Sequence, residues 1–284
     1  MSAIFRTEDG ARGVAEAYRN MLDHWPVPHA ELRILTRQGQ TFVIACGPAD
    51  APPLVLFHGA QANAAAWMFD AMPWSRHSRV YAVDVIGDAG FSAAARPPLA
   101  TDAHALWLDD VFAGLGVERA RVVGVSLGGW LALDYAIRRP GRVEKVALMC
   151  PAGVGAQKNF LLRAAPLLLL GPWGLRKVRE MVFGPSTADL PPLVQRFAAF
   201  MGLVGRHTRP RRIRIPIFSD ASLSGLQMPV LAIVGGRDVL LDSDGTRRRL
   251  ERLVPLAEVH FLPEAHHFIR GQGQVILDFL QAAS

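Results

Sequence analysis

At 284 residues, half of them hydrophobic and a fifth charged, the chain can bury a full core and is too apolar to be disordered. The formal charge of +6 raises a nucleic-acid reading, but much of the excess sits in GRHTRPRRIR (205–214) and Arg247-Arg248-Arg249. Neither run has interleaved aromatics, a zinc spacing or a recognition helix, so both read as solvated arginine surface and no nucleic-acid partner is expected.

In chain order, MSAIFRTEDGARG carries an acidic pair where a secretory leader needs an apolar run. A helix over 8–22 precedes ELRILTR and QTFVIAC, which flank Gln38-Gly39 as a hairpin. The apolar run 54–57 in PPLVLFHG predicts a strand covered on both faces. A helix near 63–72 and a strand at 79–85 follow, then a helix capped by Asp102 and ending at Gly116. Next come a strand at 120–126, a helix from Leu127 to Arg139 stopped by Pro140-Gly141, and a strand at 143–150.

Residues 151–227 break this rhythm with a leucine-rich helical patch, several prolines and no clean strand. Their most apolar stretch, LLRAAPLLLLGPWGL (161–175), is interrupted by Arg163 and two prolines and is too short to cross a bilayer. Alternation resumes with a strand at 229–236, a helix over 243–253, a strand at 257–263 and a terminal helix over 269–282. The pattern predicts a mostly parallel α/β sheet with ligands at the carboxyl ends of its strands. It divides into a core domain, 1–150 and 228–284, and a helical insertion, 151–227. Cys46 and Cys150 end apolar runs and read as buried free thiols in a reducing compartment, so a cytoplasmic protein without integral membrane association is expected.

Gly124-Val125-Ser126-Leu127-Gly128 lies between a predicted strand and a predicted helix, the setting of a G-x-S-x-G nucleophile elbow. Residues two before and two after a nucleophile held in such a turn press on its own backbone, so they must be small. A serine hydroxyl needs a base to take its proton and a carboxylate to orient the base. Asp238 stands just beyond the strand 229–234, and His266 and His267 stand shortly beyond the strand 257–262, in the order Ser, Asp, His. Asp242 and Asp244 lie where the next helix begins and read as caps. After the strand 143–150 the chain has Pro151-Ala152-Gly153 and no carboxylate, which leaves Asp238 as the acid. The backbone N–H of Leu127 and that of Ala60, in HGAQANAAAW, are the candidate oxyanion donors. His58 reads as structural and Trp67 as core packing.

Taken together, His58-Gly59 with Trp67, Asp84-Val85-Ile86-Gly87-Asp88-Ala89-Gly90-Phe91-Ser92, the Gly124–Gly129 turn, Asp238 after Gly235-Gly236, and Ala265-His266-His267-Phe268 resemble the α/β-hydrolase family, in its branch of small bacterial esterases. The resemblance covers roughly 30–284 and is weak in the insertion. It implies a mostly parallel eight-stranded sheet flanked by helices, with 151–227 as a cap over the active site. It carries the catalytic base to His267, although His266 stands where the family commonly has glycine. The segment 84–92 shifts one glycine of the family pattern and points mildly to ester hydrolysis. The implied activity is serine carboxylesterase, acting on a small-molecule ester with no metal or organic cofactor.

Serine at 126 disfavours the aspartate-nucleophile dehalogenases and epoxide hydrolases of the family. Hydrolysis of carbon–carbon bonds or thioesters, perhydrolysis, and non-enzymatic ligand binding on the same fold stay as alternatives. Two readings of Leu161, Leu162, Leu167 to Leu170, Trp173, Phe183 and Phe197 stand open: an apolar acyl or aryl pocket, or packing of the insertion onto the core. The oligomeric state, monomer or homodimer, is left open.

Overall fold

The computed structural model describes residues 4–185, 190–211 and 214–282. Its strands are β1 (His29–Thr36), β2 (Gly39–Cys46), β3 (Pro53–Phe57), β4 (Arg79–Val83), β5 (Ala120–Val125), β6 (Val143–Met149), β7 (Val230–Gly235) and β8 (Ala257–Leu262). They form one sheet in the order β1-β2-β4-β3-β5-β6-β7-β8. β2 runs antiparallel to β1 and β4, and every other pairing is parallel. The helices are α1 (Glu8–Leu22), α2 (Met68–Ser75), α3 (Ala103–Gly114), α4 (Leu127–Arg138), α5 (Phe160–Leu168), α6 (Gly171–Phe183), α7 (Pro192–His207), α8 (Asp220–Ser224), α9 (Ser243–Leu253) and α10 (Gly273–Gln281).

Successive strand residues face opposite sides of a sheet, so a strand covered on both sides must be apolar at every position. Along β3, Val55 and Phe57 join one core while Leu54 and Leu56 join the other. The first core is closed by α3 and α4, with Trp107, Phe112, Trp130 and Tyr135 packed among valines of the sheet. On the opposite face α1, α2 and α10 supply Tyr18, Trp74 and Leu277, and Trp67 lies there too, packed as expected. Strand order reverses at β3, which pairs with β4 on one side and β5 on the other. At such a switch point the loops leaving neighbouring strands part, and a crevice opens at their carboxyl ends.

Helices α5 to α8 lie between β6 and β7, and among the described residues this stretch holds no strand. Its two halves differ. From α7, Phe197, Phe200 and Val204 are buried in the second core, where Phe200 stacks on Tyr18 at 5.9 Å. From α5, α6 and the turn between them, Leu161, Leu162, Leu168, Leu169, Leu170, Trp173 and Phe183 are exposed. Packing onto the core therefore describes Phe197, and neither sequence reading describes the exposed set.

Three further expectations are corrected. Asp102 occupies the position before α3, but its side chain makes no capping bond; the Thr101 hydroxyl accepts the Ala103 N–H at 3.4 Å instead. Asp242 does cap α9, accepting from the Gly245 N–H at 3.1 Å, whereas Asp244 lies inside the first turn and pairs with Arg247. The arginine runs are not wholly solvated surface. The Arg211 side chain is buried against Asp88 at 3.4 Å, and Arg249 donates to the carbonyls of Val154 and Phe218.

Candidate active site

Ser126 sits between β5 and α4 with φ 52° and ψ −110°, a left-handed conformation that costs a non-glycine residue about 1–3 kcal/mol. The flanking glycines are obligatory there. A Cβ on Gly124 would lie 2.3 Å from the Gly128 carbonyl oxygen, and one on Gly128 would lie 2.0 Å from the Phe57 carbonyl oxygen. The turn is pinned by the Ser126 N–H donating to Met149 O at 2.9 Å, and by the N–H groups of Trp130 and Ala152 donating to Ser126 O at 3.1 Å. Strand β3, the serine turn and the end of β6 are thereby locked together.

The histidine arrives from the far edge of the sheet. At the end of β7, Gly235 and the following Gly236 let the chain beyond β8 come close: Cβ atoms there would stand 2.5 Å from the carbonyl oxygens of Ala265 and Pro263. The Arg237 N–H donates to Ala265 O at 2.9 Å and holds the two loops side by side. His267 Nε2 then lies 3.1 Å from Ser126 Oγ, and its Nδ1 lies 2.7 Å from Asp238 Oδ2. The other carboxylate oxygen, Oδ1, accepts from the N–H groups of Leu240 at 2.7 Å and Leu241 at 3.0 Å. Burial opposes ionisation of Asp238, but the hydrogen bond and charge of His267 and those two N–H groups outweigh it and hold the carboxyl below its usual range. An ionised carboxylate on Nδ1–H leaves the Nε2 lone pair facing the serine hydroxyl, the arrangement in which imidazole can take its proton.

His266 faces the other way. Its Nδ1–H donates to Met181 O of α6 at 3.0 Å, and the Phe268 N–H donates to Val182 O at 3.1 Å. The residue where the family commonly has glycine thus joins the loop of His267 to the inserted helices.

Leu127 is the first residue of α4, where no intrahelical acceptor exists for its N–H. The helix start adds its positive end to any charge forming above Ser126. The loop after β3 runs beside the serine, since a Cβ on Gly59 would lie 3.6 Å from Ser126 Cβ. Ala60 follows, and the next residue, Gln61 (φ 57°), donates its N–H to Asp88 Oδ1 at 3.2 Å. His58 behaves as a structural residue: Val85 N–H donates to its Nε2 at 2.9 Å, which leaves the proton on Nδ1, donated to Gly59 O at 2.8 Å.

The reading of the sequence missed what supports this loop. Asp84, fully buried, accepts from Tyr18 Oη at 2.9 Å, from the Ala64 N–H at 2.7 Å and from the Phe91 N–H at 2.7 Å. Burial pushes its carboxyl above the usual range although His58 and these donors pull the other way. A Cβ on Gly90 would stand 2.2 Å from Asp84 Oδ2, so the glycine in the 84–92 motif makes room for the carboxylate. Cys150 was also missed as a neighbour of the site. Its backbone has φ 42°, and its sulfur, an Asp238 oxygen and a His267 nitrogen all lie within 4.8 Å of one another. Burial, and then the Asp238 charge, push the thiol far up, so it stays protonated and is no nucleophile. These three residues form a ligand-type group among the described residues, but the imidazole and carboxylate already hold each other.

A sequence profile described as the alpha/beta hydrolase family matches residues 54–278. An uncharacterized carboxylesterase, nap, of Bacillus subtilis is 32% identical over 271 residues, 94% of this chain and 90% of that protein. The crystal structure of carboxylesterase CesB (YbfK) from Bacillus subtilis superposes with a TM-score of 0.81 at 32% identity, covering 96% of this chain and 99% of the other. That of naproxen esterase from the same organism gives 0.81 at 30% identity, covering 97% and 98%. With the serine turn, the sheet order and these likenesses in hand, the chain belongs to the alpha/beta hydrolase family.

Proposed function

We propose that the chain is a serine carboxylesterase that cleaves small-molecule carboxylic esters through an acyl-enzyme. The observation that carries the reading is the imidazole of His267 seated between Ser126 Oγ at 3.1 Å and Asp238 Oδ2 at 2.7 Å. Ser126 attacks the acyl carbonyl as His267 takes its proton, and Asp238 holds the imidazolium that forms. The N–H groups of Ala60 and Leu127 receive the oxyanion. The alcohol leaves with the proton from His267, which next activates a water to release the acid and restore the serine. Apart from the substrate and the hydrolytic water, every group in this cycle comes from the chain, and the mechanism assigns no role to a metal or organic cofactor.

Relatives that are themselves named carboxylesterases favour esters over the carbon–carbon, thioester and perhydrolysis chemistries open to the same relay. The name naproxen esterase, carried by one of them, favours an apolar acyl or aryl group. Helices α5 to α8, inserted between β6 and β7, are assigned as the cap, divided from the core at residues 151 and 227 as the sequence organisation suggests. No described helix is long and apolar enough to cross a membrane. Two buried free cysteines support a cytoplasmic setting.

Hydrolysis of p-nitrophenyl esters of increasing acyl length tests the reading. Ser126→Ala and His267→Ala should each lower kcat by about 10⁴-fold or more, while His266→Ala keeps most of it. Turnover that survives in Ser126→Ala overturns the mechanism. A wild type inert on every ester overturns the esterase assignment and directs attention to carbon–carbon bonds.

A further inference from the structure

The two helices at the front of the insertion leave their most apolar residues in solvent. Helices α5 and α6 pack on each other through small residues: Ala164 is buried, and Gly174 approaches so closely that a Cβ would lie 1.6 Å from Leu167 O. The leucines are therefore not consumed by that contact. Leu169 is 87% exposed, Leu161 76% and Leu162 74%, and Leu170 and Trp173 add to the same hairpin. One exposed leucine is ordinary, but this many on one short hairpin mark a surface that meets something apolar.

The same two helices carry Arg163, Arg176, Lys177 and Arg179 against one acid, Glu180, a formal balance of +3. Glu180 is taken by Lys177 at 2.8 Å and Arg176 at 3.8 Å, while Arg163 and Arg179 form no ion pair among the described residues. Leucine and tryptophan interleaved with arginine and lysine, on helices of 9 and 13 residues, fit a segment that lies on a bilayer and cannot span one.

We infer that the α5–α6 hairpin is a docking face for an anionic lipid surface. Its leucines and Trp173 enter the headgroup–acyl boundary while its arginines meet the lipid phosphates. A second copy of the chain fits less well, because symmetric pairing through this face sets +3 against +3. The end of α6 is bonded to the loop of His267 through Met181 O and Val182 O, so docking brings the candidate active site to the lipid surface. That esters dissolved in the surface are then hydrolysed rests on the esterase reading; the docking itself does not.

Co-sedimentation of the full chain with vesicles tests it, using an equal mixture of phosphatidylglycerol and phosphatidylcholine beside phosphatidylcholine alone. The wild type should partition onto the mixed vesicles about tenfold more strongly than onto the neutral ones, and salt should weaken the binding. The variant Leu161→Ser/Leu169→Ser/Leu170→Ser should lose binding by about tenfold or more. Arg163→Gln/Arg179→Gln should lose several-fold, chiefly on anionic vesicles. Both variants should hydrolyse a water-soluble p-nitrophenyl ester like the wild type, which separates lost docking from lost folding or lost chemistry. Wild type that stays in the supernatant with both vesicles, equal binding to both, or undiminished binding of the leucine variant overturns the proposal. So does a dimer in sedimentation velocity that dissociates in the leucine variant while vesicles bind nothing.

Discussion

Leucine behaves in opposite ways in two regions of this molecule. In β3, Leu54 and Leu56 are wholly buried, each beneath helices that cover one face of the sheet. In the α5–α6 hairpin, leucines of the same chemistry stand in solvent. Hydrophobicity creates a demand for cover, and only topology decides whether a second surface is there to supply it. A central strand has two layers waiting, whereas a hairpin inserted between strands has only what the chain happens to place next to it. The candidate site lies where the regions meet: Ser126 and Asp238 hang from the covered strands, and the loop of His267 is also bonded to α6.

The largest break in this contrast should come from a single methyl group at the serine turn. Gly128→Ala places a Cβ against the backbone of β3, a neighbour that cannot rotate away. The expected cost exceeds about 4 kcal/mol in urea unfolding, with loss of soluble protein as the extreme outcome. Gly141→Ala, whose Cβ would meet nothing within 4 Å, is the paired control and should stay within about 0.5 kcal/mol of wild type. Near-normal stability of Gly128→Ala would show that the turn is not held as tightly as these contacts require.

Leu56→Ala comes next. It removes a wholly buried side chain from a strand covered on both faces and should cost about 2–5 kcal/mol, read from the urea midpoint at unchanged slope. A loss well below 2 kcal/mol would mean that the core relaxes into the space, contrary to the locked geometry around β3.

The sequence revealed the part of the site that depends on local sterics and chain order. Gly124 and Gly128 must be small to let Ser126 turn, and Asp238 and the pair His266-His267 each follow a strand, so spacing exposed these candidates and the family resemblance chose His267 between the two histidines. The boundaries of α1 and the presence of the β1–β2 hairpin were legible for a similar reason, since periodicity and turn chemistry are properties of neighbouring residues, although β1 starts two residues earlier, at His29, and Gly39 belongs to β2. The support beneath the site was hidden because its partners are remote. Tyr18 reaches Asp84 across 66 positions, and Arg211 reaches Asp88 across 123. No periodicity links such pairs, and a basic run such as 205–214 looks the same whether or not one arginine turns inward. His266 looked like a rival base because chemistry assigns both histidines the same capacity. Only the direction of the loop separates them, one ring on Ser126 and the other on Met181 O.

The smallest expected effect completes the contrast. Leu169→Ala deletes as many side-chain atoms as Leu56→Ala, but from a residue 87% exposed, where little surface is removed from water on folding. The area lost to water differs far more between the two sites than the chemistry does, so Leu169→Ala should shift stability by no more than about 0.5 kcal/mol. Measured in the same urea series, the two leucines should differ severalfold, and the ratio reports cover and not residue type. If Leu169→Ala costs as much as Leu56→Ala, the hairpin is covered in solution by something that the isolated chain supplies. The docking face would then already be occupied, and the vesicle experiment should show no binding by the wild type.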